Sequence, residues 1–265
     1  MIPDIAELDD HEVVSQDEWL RARKALLDRE VALTHDLDRL RTARRALPWV
    51  RVTKDYVFDG AEGKRHLGDL FAGRNQLAIQ HFMLSPDSDH LCAGCSFIAD
   101  HVDAARQHFE QAGLSYAAVS RAPVARIQAV KRRMGWQFAW VSSGDTDFSY
   151  DFGVSFHPGD LADGGAEYNY GKAQIQKASD MFGVSIFVRR EGSDEIFHAY
   201  STYGRGPELL MGALNWLIWP LWAAMSAAKR IAGCACMTNM GRQRKDAAVT
   251  EAVTGDAQRL GWALR

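Results

Sequence analysis

With 265 residues and 47% hydrophobic content, the chain is long enough for one well-cored α/β domain with appendages. Its 31 Lys and Arg against 34 Asp and Glu leave a net charge of −3, with basic residues spread among acids, so no general electrostatic case for nucleic acid exists. The acidic stretch Met1 to Asp10 lacks the basic start and apolar core of a secretory signal. A cytoplasmic location is therefore expected, where four cysteines serve redox or metal chemistry, or stay reduced, more often than they form structural staples.

Ser15 to Leu47 is predicted as a long amphipathic helix. Ser15 and Glu18 have capping-box spacing, and Trp19, Leu26, Leu33, Leu40 and Leu47 recur every seventh position, with Ala22, Leu37 and Ala43 widening the stripe. The stripe is expected to pack on the chain's own domain; because Arg29 and Asp36 interrupt a strict zipper, a homodimer through this helix is the alternative. Leu47-Pro48-Trp49 ends the helix, and Val50 to Phe58 is predicted as a strand before a turn at Asp59-Gly60. Strand, helix, strand, helix and short strand follow over Gln76 to Leu84, Ser96 to Ala112, Leu114 to Ser120, Pro123 to Gly135 and Trp140 to Ser143. This order predicts an α/β sheet with a parallel pair joined by a crossover helix. Pro158 to Asp180, polar and glycine-bearing, is predicted as an inserted loop with a helical turn or two. Gly183 to Arg190 and Glu195 to Tyr200 are predicted as a closing β-hairpin. Leu209 to Ala228 carries no charge, yet Gly212, Asn215, Pro220 and Ser226 dilute it, so a helix buried on the sheet or at a dimer interface is expected rather than a membrane span. Three parts result: a helical extension over 1–47, a core domain over 48–206 and a C-terminal helical extension over 207–265.

The chemistry-bearing feature is Cys92-Ala93-Gly94-Cys95, set between the apolar run Leu77 to Leu84 and the helix predicted from Ser96. A thiol at a helix N-terminus meets unpaired N–H groups and the positive end of the macrodipole, which favour the thiolate. Cys92 is the expected nucleophile, and Cys95, one turn further in, is placed to resolve a mixed disulfide. Half of a zinc site and two inert thiols are the alternatives. Cys234-Ala235-Cys236 offers a second close pair that could relay electrons or complete a Cys₄ zinc site, but one intervening residue strains either use, and two unpaired thiols are the default. His81, His90 and His101 lack the paired spacing of a zinc finger. No bound cofactor or metal is expected.

Segments along the chain, among them Leu47-Pro48-Trp49-Val50, Asp55-Tyr56-Val57-Phe58, Cys95-Ser96-Phe97, Val119-Ser120-Arg121-Ala122-Pro123, Trp140-Val141-Ser142-Ser143, Asp151-Phe152-Gly153-Val154 and His198-Ala199-Tyr200-Ser201-Thr202-Tyr203, resemble the bacterial domain-of-unknown-function 899 family. The resemblance runs from about Ser15 to Met211. It implies a thioredoxin-like sheet flanked by helices and the activity of a dithiol-disulfide oxidoreductase, with a thiol or disulfide substrate and an external reductant as partners. Within the thioredoxin superfamily the arrangement is more similar to peroxiredoxins, through Leu67-Gly68-Asp69-Leu70-Phe71 and Trp136-Gln137-Phe138-Ala139-Trp140. The peroxidatic signature of proline, threonine and cysteine fails here by one residue: Pro86 puts His90 at the threonine and Ala93 at the cysteine. Disulfide exchange therefore ranks above peroxide reduction.

Candidate substrate-binding residues are Arg121, a cation from the neighbouring strand end, Trp140, Gly183 and Tyr203, the last with His198 and Tyr200 as pocket walls. Gly183 marks where such folds usually place a cis-proline in the substrate groove, and no proline occurs between Pro158 and Pro207. A non-proline cis bond costs about 2.5–4 kcal/mol, so a trans bond is expected, and a small disulfide or oxidised thiol stands beside a protein as substrate. The retained CxxC favours an enzyme, whereas the missing proline favours a non-catalytic binding protein on the same scaffold.

Overall fold

The structure, a computed structural model, describes residues 12–88, 90–162, 164–177 and 180–213. Helix α1 (Gln16–Arg45) opens on the capping box: the Glu18 N–H donates to the Ser15 hydroxyl at 3.3 Å, and the Ser15 N–H donates to the Glu18 carboxylate at 2.9 Å. None of its 30 residues is buried. Among the described residues the apolar stripe therefore does not pack on the domain; Trp19, Leu26, Leu33 and Leu40 stay 52%, 47%, 60% and 53% exposed. The helix meets the sheet at its end, where Arg44 lies 4.8 Å over the Tyr200 ring and Trp49 packs against Phe197 at 5.8 Å.

The strand predicted over Val50 to Phe58 is divided. Val50–Arg51 forms β1 at one sheet edge, and Val57–Gly60 forms β2, paired with β3 (Gly63–His66) through a turn at Ala61-Glu62 rather than at Asp59-Gly60. The interruption has a cause: the Lys54 ammonium and the Tyr56 hydroxyl both bond the Asp151 carboxylate, at 2.6 and 2.7 Å, and Tyr56 is pulled into the core. Gly63, at φ 120°, supplies a backbone conformation that a side chain would strain.

From Leu67 onward the alternation follows the sequence. A 3₁₀ turn (Leu67–Phe71) precedes β4 (Gln76–His81), then α2 (Ala93–Gln111), β5 (Leu114–Ser120), α3 (Val124–Met134) and β6 (Ala139–Ser142). Gly135, left-handed at φ 78°, closes α3. A single turn, α4 (Phe148–Asp151), places Phe148 in the core. Where an inserted loop is predicted, Ala166–Tyr168 and Ala173–Ile175 form a two-stranded hairpin, β7 and β8. Ala166 and Tyr168 point inward and Glu167 outward, an alternation too short to stand out among the glycines. β9 (Gly183–Arg189) and β10 (Ile196–Tyr203) close the sheet as an antiparallel hairpin.

The main sheet has eight strands in the order β1-β10-β9-β4-β5-β6-β2-β3. β4, β5 and β6 are parallel and β9 runs antiparallel to β4, so the central β10-β9-β4-β5 set, with α2 as crossover, is the thioredoxin-like arrangement. One face packs Ala78, Ala118 and Trp140 with Ala99 of α2 and Ile127 of α3. The other packs Leu77, Ile79 and Phe187 with Phe58, Phe71 and Phe148. Past β10, Met211 packs on Phe97 and Ile98, and the Ala213 N–H donates to His101 Nε2 at 3.0 Å. The rest of the apolar stretch to Ala228, Cys234, Cys236 and most of the predicted C-terminal extension lie outside the described residues. Among the described residues no helix is long and apolar enough to cross a membrane.

Candidate active site

β4 points straight at the dithiol. The Phe82 N–H donates to Val119 O at 2.8 Å and the Ala122 N–H to Leu84 O at 3.0 Å, extending the pairing with β5 past the ends of both strands. The chain then crosses back to Cys92, which caps α2, so the helix starts three residues earlier than its apolar pattern predicts. The cap is the thiol itself: Cys92 Sγ accepts from the Cys95 N–H at 3.2 Å. Cys92 O is held by the Ser96 N–H at 3.0 Å and the Ser96 hydroxyl at 2.9 Å.

The two thiols occupy different environments. Cys92 is half-buried and Cys95 is 1% exposed. Hydrogen bonds from the Cys95 thiol and from the Cys95 and Gly94 N–H groups bring the Cys92 pKa down to about 7 against the opposing effect of burial. Burial drives the Cys95 pKa well up, and the neighbouring Cys92 charge adds to it. The Met83 N–H, donating to Cys95 Sγ at 3.5 Å, works the other way.

Beneath the pair lies a polar brace that the sequence did not announce. Gln80, fully buried within the apolar run, donates through Nε2 to Cys95 O at 3.0 Å and accepts at Oε1 from the Tyr116 hydroxyl. It ties the first turn of α2 to β4 and β5. The available signal was a glutamine at a helix-facing position of β4, between the apolar Ala78 and Phe82.

The predicted substrate-binding residues scatter. Arg121, expected beside the thiolate, is committed to Asp180 through Nε at 2.6 Å and to the Tyr150 hydroxyl at 2.8 Å. Asp180 also accepts from the Ser155 hydroxyl at 2.7 Å and from the Ser85 hydroxyl. Trp140 is 3% exposed in the α2-side core, its indole N–H donating to Ser120 Oγ at 2.9 Å, and forms core rather than groove wall. Gly183 and Tyr203 do meet: a Cβ on Gly183 would stand 2.7 Å from Tyr203 Cδ1, so the glycine is the seat of that ring. Tyr203 in turn donates to Phe152 O at 2.9 Å. The peptide bond entering Gly183 is trans.

Tyr168, assigned to a loop by its polar context, is 6% exposed and reaches this segment from β7. Its hydroxyl donates to Phe182 O and accepts from the Gly204 N–H at 3.0 Å. Phe182 packs against the buried cluster that holds Cys95 and against the cluster that holds Phe97 and Ile98. Burial raises the Tyr168 pKa and a charge on Cys95 adds to it, against the lowering effect of the Gly204 N–H. The described residues hold no group of three or more His, Cys, Asp or Glu able to bind a metal ion.

A helix-capping dithiol on this sheet defines a thioredoxin-like α/β dithiol protein. The chain matches, over residues 8–219, the family described as bacterial protein of unknown function, DUF899, and it belongs to that family. No curated protein matches it. Among solved structures, peroxiredoxin Q from Xanthomonas campestris is similar at 18% identity over 65% of this chain and 98% of that one, with a TM-score of 0.43. The peroxidoxin BcpB from Mycobacterium tuberculosis shows 14% identity over 65% and 97%, with a TM-score of 0.39. The mitochondrial 2-Cys peroxiredoxin from Plasmodium falciparum shows 13% identity over 66% and 95%, again with a TM-score of 0.39.

Proposed function

We propose that the protein is a dithiol-disulfide oxidoreductase in which Cys92 attacks and Cys95 resolves. The observation that carries the reading is the asymmetry of the pair: the more accessible thiol is held near pKa 7 at a helix N-terminus, and its buried neighbour is held protonated. The Cys92 thiolate attacks one sulfur of a disulfide, forming a mixed disulfide and releasing the other sulfur as a thiolate. Cys95 then loses the acceptor for its proton, passes that proton to the departing thiolate, and attacks Cys92 Sγ. The second substrate thiolate leaves, protonated from solvent. Two electrons have moved from the dithiol to the substrate, leaving a Cys92–Cys95 disulfide that an external dithiol reduces. The Met83 N–H aimed at Cys95 Sγ supports the negative charge that develops there during resolution.

Cys95→Ser tests the order of attack. With a small aromatic disulfide in excess, this variant is expected to trap a mixed disulfide on Cys92, one adduct per chain by intact mass. Adducts on Cys95 in Cys92→Ser at an equal rate, or no adduct on either, contradict the assignment.

A further inference from the structure

Resting on the dithiol reading above, we infer that the substrate is a low-molecular-weight disulfide rather than an extended polypeptide, and that Tyr168 is the residue that sets this preference. A polypeptide is held beside a strand by main-chain hydrogen bonds, which require free backbone N–H and C=O groups on the strand it joins. The segment Asp180 to Phe182 enters β9 on the dithiol side of the sheet, since Phe182 packs against the buried cluster that holds Cys95 and against the cluster that holds Phe97 and Ile98 of α2. Two of its main-chain groups, the Met181 N–H and the Phe182 carbonyl, are already engaged within the chain. The Met181 N–H donates to Val154 O at 2.6 Å, and Asp180 forms an antiparallel bridge with Ser155. Phe182 O accepts from the Tyr168 hydroxyl, which is itself fixed by the Gly204 N–H at 3.0 Å.

The β7–β8 hairpin therefore occupies the acceptor that an incoming peptide would use. Its hold is buried, with Tyr168 6% exposed and edge-on to Tyr203 at 5.5 Å. Opening it for a peptide would leave a buried phenol without its acceptor, a cost that a small disulfide does not meet because it needs only Cys92 Sγ. Sequence alone left the two substrate classes open. The bonds already made by the Met181 N–H and the Phe182 carbonyl favour the small disulfide.

The test compares two substrates with the full chain and dithiothreitol as reductant: oxidised glutathione and the interchain disulfides of insulin. The wild type is expected to reduce oxidised glutathione at least tenfold faster per disulfide. Tyr168→Phe, which removes the hydroxyl and keeps the ring, is expected to narrow that ratio severalfold by freeing Phe182 O. Insulin reduction at a rate equal to oxidised glutathione in the wild type overturns the inference and leaves the dithiol chemistry standing, as does an unchanged ratio in a folded Tyr168→Phe. Reduction of neither substrate, with Cys92 unmodified by either disulfide, overturns the dithiol reading and this inference with it.

Discussion

Gln80 and His81 are neighbours in β4 and serve opposite faces of one sheet. On the Gln80 face, a buried amide supports a helix start where hydrogen bonds to a thiol outweigh burial and lower the Cys92 pKa. On the His81 face, nothing opposes burial. The His81 ring is 2% exposed between Phe148 and Phe152, at 5.5 and 5.9 Å, and its pKa is pushed down to about 3 by burial first and the His198 charge second. His81 Nε2 joins Ser185 Oγ at 2.8 Å, Ser185 Oγ joins Ser201 Oγ at 2.7 Å, and Ser201 Oγ joins His198 Nε2 at 2.7 Å. His81 is held neutral, since its Nδ1 is buried without a partner and a proton there would have no acceptor, and burial lowers the His198 pKa in the same direction. Burial is thus outweighed where donors converge on the charged form and prevails where they do not.

The comparison breaks most visibly at Cys92. Cys92→Ser removes the one atom on which the Gln80 face converges, and disulfide reduction is expected to fall to background in a turnover assay while circular dichroism and melting stay near wild type. Next is the brace. Gln80→Ala leaves the Tyr116 hydroxyl and a cavity unfilled and is expected to cost about 3 kcal/mol, a loss of roughly 6–12 °C in melting temperature. Tyr116→Phe made on top should add less than it costs alone, because the two residues share one hydrogen bond.

The His81 face is tested by pH. Its folded pKa lies below the unfolded value of about 6.5, so the unfolded chain binds more protons between pH 6.5 and 3 and stability falls as pH drops through that window. One such histidine accounts for about 2 kcal/mol between pH 6.5 and 5 in urea unfolding, and His198, lowered in the same direction, adds to it. His81→Leu is expected to flatten that slope by about one proton. The smallest effect belongs to α1. Ser15→Ala removes the cap, worth about 1 kcal/mol to the helix start, and should speed amide exchange at residues 17–20 without moving the global midpoint, because no residue of α1 is buried.

What was legible in the sequence follows the range of the forces involved. β5 and α3 end where Ser120, Pro123 and Gly135 place them, because strand alternation, a proline and a left-handed glycine act locally. The capping box at Ser15 is equally local. The division of Val50 to Phe58 depends on Asp151, about a hundred residues away, and the hairpin over Ala166 to Ile175 on a tyrosine that bonds Phe182 and Gly204. The exposed α1 stripe is not legible in the sequence, because a heptad pattern reports amphipathicity and not the partner. At the site, the CxxC and its place after a strand were readable. Gln80, Tyr116 and Tyr168 were not, since each acts across strands whose neighbours only topology fixes, and Arg121 was drawn away by Asp180, 59 residues later.

The central claim is that Cys92, capping α2, is the activated thiol. The rate of its alkylation by iodoacetamide, followed by peptide mass from pH 5 to 10, measures this directly. An inflection near pH 7 at Cys92, with Cys95 unreactive until well above pH 9, is the result the structure predicts. An inflection at Cys92 at or above pH 8.5, the range of a free cysteine, or faster labelling of Cys95, would contradict it.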